Sequence, residues 1–128
     1  MPEWNITMSH SFHRVIKTAE IADRSLQAFI VNRWPVLVVR DEGKLHAIIN
    51  RCTHQAASFF PDGRVRRGAI MCPLHGARFK LDDGTCMGAA GYKPLMRFDL
   101  REDAEGWIEV AVPDEAPSPM HLPVTPLG

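Results

Sequence analysis

The chain has 128 residues, 45% of them hydrophobic and 23% charged, a size and composition that admit one globular domain with a modest core and exclude a second full one. Fifteen basic and fifteen acidic residues cancel, so no global positive field is available to hold a nucleic acid or an anionic membrane. No apolar run approaches the roughly 20 residues of a membrane span, and Met1 to Phe12 lack a basic stretch followed by an apolar one, which predicts a cytoplasmic protein without a membrane partner.

Short runs rich in Val, Ile and Phe recur between turn residues, and helical periodicity is nearly absent, so the chain reads as all-β. His13 to Thr18 and Ser25 to Val31 are expected as strands joined by a polar turn at Ala22 to Arg24, and Asn32 to Pro35 turns the chain next. Val36 to Arg40 and Leu45 to Asn50 flank Asp41-Glu42-Gly43-Lys44 and predict a β-hairpin. Beyond Asn50 the pattern changes to loops punctuated by Gly and Pro, followed by Ala77 to Leu81, a turn at Asp82-Asp83-Gly84 and a strand near Thr85 to Met87. Leu95 to Leu100 and Trp107 to Val112 predict a last hairpin that returns to the first sheet. From Pro113 onward there are five prolines in sixteen residues, so the tail is expected to lie extended over the surface. No internal repeat is visible.

Charge is unevenly spread. Residues 1–50 carry six basic and five acidic side chains, residues 51–80 six and one, and residues 81–128 three and nine. The basic side chains of the middle segment are Arg51, Arg64, Arg66, Arg67, Arg78 and Lys80, against Asp62 alone. They read either as a solvated face or as a docking surface for an acidic protein.

Three cysteines, Cys52, Cys72 and Cys86, are too few and odd in number for a disulfide-stapled fold. Two of them sit in paired motifs, Cys52-Thr53-His54 and Cys72-Pro73-Leu74-His75, with seventeen residues between His54 and Cys72. Two thiolates and two imidazoles are a metal-ligand set. Zinc would accept them as a tetrahedron, making the chain a colourless interaction module, but zinc motifs commonly group a Cys pair and then a His pair. The order Cys, His, Cys, His follows directly if each of two loops gives one ligand to each of two irons, so that one iron receives both thiolates and the other both imidazoles.

The pattern C-x-H, spacer, C-P-x-H-G, carried here by Cys52, His54, Cys72, Pro73, His75 and Gly76, resembles that of the Rieske family, and the likeness extends from about His13 to Val112. The resemblance implies a Rieske fold: an antiparallel β-sandwich base (residues 1–50 and 92–113) with a small inserted cluster-binding subdomain of loops and hairpins (residues 51–91) and a Pro-rich tail (residues 113–128). It implies one 2Fe-2S cluster, with Cys52 and Cys72 on the inner iron and His54 and His75 on the outer one.

Within that family, the high-potential members of cytochrome bc complexes carry an extra disulfide where this chain has Ala57 and Leu74. They also carry Ser and Tyr hydroxyls, which bond sulfur, where it has Ala77 and Phe79. A potential toward the low end of the Rieske range is expected. Terminal oxygenases need two His and a carboxylate on a mononuclear iron, and after His75 only His121 remains. The chain therefore looks like a soluble Rieske ferredoxin of an aromatic-ring-hydroxylating dioxygenase system. By resemblance it is an electron-transfer component with no catalytic residue of its own, working between a flavoprotein reductase and a terminal oxygenase. The alternative is a small Rieske-like subunit of a larger reductase such as nitrite reductase. Members commonly place a Pro in the loop that shields the cluster, where this chain reads Gly88-Ala89-Ala90-Gly91.

The remaining candidates have ordinary roles. Cys86 is expected as a buried thiol on a strand, and His10, His13, His46 and His121 as surface or strand residues without a metal. Phe59, Phe60, Leu74 and Phe79 are expected to pack around the cluster and keep water away.

Overall fold

The apolar run Trp34 to Val39 becomes the most fully buried strand segment of the molecule, with every side chain in it buried. The computed structural model describes residues 9–53, 56–73, 76–87 and 93–123. Among the described residues ten strands form: β1 (His10–Lys17), β2 (Ser25–Val31), β3 (Trp34–Asp41), β4 (Lys44–Ile49), β5 (Arg64–Arg66), β6 (Ala69–Met71), β7 (Arg78–Lys80), β8 (Cys86–Met87), β9 (Arg97–Glu102) and β10 (Trp107–Pro113). All pairings are antiparallel.

One sheet has six strands in the order β1-β10-β9-β4-β3-β2. Its two three-stranded halves meet where Ala47 pairs with Phe98 and Ile48 with Arg97, and its outer strands β1 and β2 touch. The sheet therefore curls back on itself, closing much of its own edge. A second sheet, β5-β6-β7-β8, packs on this base, with β5 touching β2 and β3. That contact covers the second face of β3. One apolar core results, in which Val65, Ile70, Phe79 and Leu81 join Val36 to Val39, Ile48, Ile108 and Val110.

Hairpin chemistry explains the connections. Asn32-Arg33, Glu42-Gly43 and Arg67-Gly68 each join two strands with positive φ at both residues (46° and 71°, 53° and 78°, 50° and 77°). This is the two-residue turn whose twist matches that of paired strands. The loop expected over Asp41 to Lys44 is thus shorter, because its outer residues pair with each other in the ladder. The Arg67-Gly68 turn is tied to the base: its Gly68 N–H donates to the buried carboxylate of Asp41, and its Gly68 O accepts from Leu81 N–H at 2.9 Å.

Two expectations need correction. Before the expected strands at Ala77 to Leu81 and Thr85 to Met87, the region after Asn50 supplies two more, β5 and β6, and the four form one sheet. Strand β1 pairs with β10, while β2 pairs with β3. The tail is anchored as well as extended: Pro113 still pairs with His10, and Pro119–His121 forms a 3-10 turn capped by Ser118. The tail closes over Trp34, whose Nε1–H donates to Glu115 O at 2.9 Å while the His121 ring lies 4.8 Å from the indole. That gives a buried indole its polar partner.

His46, on β4, is buried, and its Nδ1 lacks a hydrogen-bond partner among the described residues. Burial pushes its pKa below the ordinary 6.5; Asp82 pulls it back up, Lys44 and Arg97 push it down, and Asp41 pulls it up. The folded chain then binds this proton less readily than the unfolded one, so the stability contribution is complete above the ordinary value and is lost as pH falls below it toward the folded value. His121, lowered by burial and by Arg51, acts in the same direction. The melting temperature is expected to fall between about pH 7.5 and about pH 5.5, with a shallower slope in His46→Leu. An unchanged slope in that variant would remove His46 as the cause.

Candidate metal centre

The two cysteine loops are built alike. In the first, which follows β4, Cys52 N–H donates to Ala57 O at 2.8 Å and Ala56 N–H donates to Cys52 O at 2.7 Å. In the second, between β6 and β7, Cys72 N–H donates to Ala77 O at 2.8 Å and Gly76 N–H donates to Cys72 O at 3.1 Å. The fourth residue after each cysteine has positive φ, 57° at Ala56 and 73° at Gly76. Both loops thus double back to the cysteine that opens them. Each cysteine is buried, 0% exposed at Cys52 and 1% at Cys72.

The likeness continues into the core. Phe59 and Phe79 follow their cysteines at the same separation, both are fully buried, and their rings meet edge to face at 6.1 Å and 88°. A short internal repeat, Cys52 to Phe59 against Cys72 to Phe79, is therefore present where none was visible in the sequence. Its members share backbone bonds more than side chains, and one loop offers the histidine at the third position and the other at the fourth.

Polar side chains fix the first loop. Asn50 is buried and donates its N–H to Pro35 O (2.9 Å) and its Nδ2–H to Ser58 Oγ (2.9 Å), while its Oδ1 accepts from Phe59 N–H (2.7 Å). Thr53 Oγ1 donates to Lys93 O at 2.6 Å, and Arg51 Nε donates to Leu122 O at 3.2 Å. The loop is thus held by β3, by the segment before β9 and by the tail. Asn50, Thr53 and Ser58 escaped sequence reasoning, which read Asn50 only as a strand end. A polar residue two positions before a candidate ligand was the available signal.

Of the four candidate ligands, Cys52 and Cys72 are placed and buried. His54 and His75 lie outside the described residues, as do Leu74 and the loop Gly88-Ala89-Ala90-Gly91. Among the described residues no three His, Cys, Asp or Glu side chains converge as metal ligands. What is placed fits a soft metal group: two thiols, each buried at the matching point of one of two like loops. Phe60, expected beside them, is 38% exposed. Cys86, expected to be buried, is half-buried on β8, with its Sγ 3.7 Å from Met87 O. Among the described residues no helix is long and apolar enough to cross a membrane.

The profile of the Rieske [2Fe-2S] domain family matches residues 11–99. The chain is similar in structure to the ferredoxin of carbazole 1,9a-dioxygenase from Nocardioides aromaticivorans IC177, with 29% identity and a TM-score of 0.71 over 84% of this chain and 99% of that one. It is similar, at 25% identity and a TM-score of 0.71, to a chain of the complex of reduced oxygenase and oxidized ferredoxin in carbazole 1,9a-dioxygenase, over 84% of this chain and 96% of that one. Apoptosis-inducing factor 3 of Homo sapiens is 34% identical over 70 residues, 55% of this chain, which spans 11% of that relative's length.

Proposed function

Because the chain belongs to the Rieske [2Fe-2S] domain family, we propose that it is a Rieske ferredoxin. It works in the cytoplasm as a component rather than a catalyst, carrying single electrons from an NAD(P)H-dependent flavoprotein reductase to a terminal ring-hydroxylating oxygenase. End-to-end correspondence with one dioxygenase ferredoxin, 99% of whose chain is covered, carries this reading. The oxygenase side is supported by likeness to a chain of a ferredoxin–oxygenase complex. Cys52 and Cys72 would hold one iron, and His54 and His75 the other. When bound, the cluster supplies a one-electron couple, raised relative to a four-cysteine cluster because neutral imidazoles replace two thiolates.

The protein's own side chains set the surroundings. Phe59 and Phe79 keep water from the thiolates, and Asn50 holds the returning chain so that the first loop keeps its shape. At 77 and 79 Ala and Phe bring no side-chain donor, and donors to sulfur favour the reduced, more negative state. The midpoint potential is therefore expected at about −150 mV, and a value above about +100 mV would overturn this assignment. The reading itself is tested by electron paramagnetic resonance of the dithionite-reduced protein with iron and zinc analysis of the same sample. A rhombic signal of low average g and about two irons per chain are expected, whereas zinc without a signal leaves a structural metal module. A subunit of a larger reductase would instead elute bound to a large partner.

A further inference from the structure

The small sheet has two faces of opposite character, and its register assigns each residue to one of them. Val65, Ile70, Phe79 and Cys86 lie opposite one another across the four strands, and the first three are buried in the core. The adjacent row, Arg64, Met71, Arg78 and Met87, alternates to the other face, as does the row Arg66, Ala69 and Lys80. All four of these cations are exposed. Arg67, at the β5–β6 turn, and Arg24, before β2, extend the same surface, and a groove of about 660 Å³ is lined by all five arginines and by Met71.

Among the described residues none of these five guanidiniums takes part in an ion pair, whereas Arg14 and Arg101 on the six-stranded sheet are paired with Asp103 and Glu109. Like charges gathered on one face repel one another and weaken the folded state unless a counter-charge comes from outside. Spacing indicates what kind. Neighbouring strands lie about 4.8 Å apart and alternate residues of a strand about 7 Å, so Arg64 and Arg78, two strands apart, are separated by about 10 Å. A single phosphate or carboxylate can engage two such side chains but not the whole array. An extended polypeptide with acidic residues at alternate positions presents carboxylates every 7 Å or so, the spacing of Arg64 and Arg66. Met71 and Met87 give it a deformable apolar floor, and Arg and Met are both enriched at protein interfaces.

We infer that the outer face of β5 to β8 is a docking surface for an acidic, extended polypeptide segment of the protein with which this chain exchanges electrons. The inference rests on the carrier reading above. Met71 directly precedes Cys72, so a segment seated here brings its protein beside the second cysteine loop.

The test uses the full, iron-loaded chain and a labelled peptide of alternating Glu and Gly, followed by fluorescence anisotropy at about 20 mM salt, where surface charges are weakly screened. Arg64→Gln together with Arg78→Gln is expected to weaken binding about tenfold, and Arg101→Gln by less than about twofold. Equal binding by the double variant overturns the inference. Tighter binding of an oligothymidylate of equal charge overturns it in favour of a nucleic acid, and displacement of the peptide by inorganic phosphate at equal charge in favour of a small anion. Iron content and the visible spectrum of the same samples judge the carrier reading separately. A loaded chain that ignores the peptide removes only the docking surface, while a chain that binds it but holds no iron removes the electron exchange.

Discussion

Cys72→Ala is expected to abolish iron binding, taking the chain from about two irons to none and bleaching its visible absorbance. Cys72 is buried at the start of a loop closed by its own backbone, so its side chain has no second thiol to substitute for it within that loop. The backbone bonds from Cys72 to Ala77 and Gly76 do not use the side chain, and the variant should retain its strand signal in far-ultraviolet circular dichroism. Its melting temperature should fall, since a group that binds only the folded chain stabilises it by mass action. Cys86→Ala serves as the comparison: on β8 it is half-buried and follows no loop of this kind, so iron content should be unchanged. Full iron in Cys72→Ala, or its loss in Cys86→Ala, would falsify the ligand assignment.

Gly84→Ala is expected to cost about 2–4 kcal/mol and to lower the melting temperature by about 10 °C. Gly84 adopts φ 80°, donates its N–H to Lys80 O at 2.8 Å and accepts from Leu95 N–H at 2.8 Å. A Cβ at this position would sit 2.3 Å from Leu95 O, a backbone atom of the same residue whose N–H makes that bond. Relief requires parting the β7–β8 turn from the base, which also disturbs the segment whose Lys93 O holds Thr53 in the first cysteine loop. Gly43→Ala isolates the cost of the positive φ, because Gly43 has a similar φ of 78° and open space around it. That variant should lose only about 1 kcal/mol. Thermal melts of the two side by side decide the matter: equal losses would mean that the approach to Leu95 is relieved at no cost.

How much of this was legible in the sequence depends on the range of the interaction involved. Strand β2 is read over its full length, and β3, β4, β9 and β10 to within a few residues, because alternation and flanking turn residues are local signals. Strands β5 and β6 were missed. With three residues each they bury one side chain apiece, Val65 and Ile70, too few for a period to be detected. The type of turn at Asn32-Arg33 was equally hidden, since Arg in the left-handed region is imposed by the pairing on either side.

The two Cys/His motifs could be recognised without a fold because ligand chemistry resides in residue type and short spacing. Family and cluster type followed from those few residues alone. That Cys52 and Cys72 open loops of one design, that Asn50 ties the first loop to β3 and Ser58, and that Phe59 meets Phe79 edge on were decided by tertiary structure. So was the gathering of Arg24 with Arg64, Arg66, Arg67 and Arg78 around one groove. The physical reason is common to all of these: burial, hydrogen-bond partners and charge neighbours depend on which distant segments are packed together, and local sequence specifies a residue's chemistry but not the company it keeps.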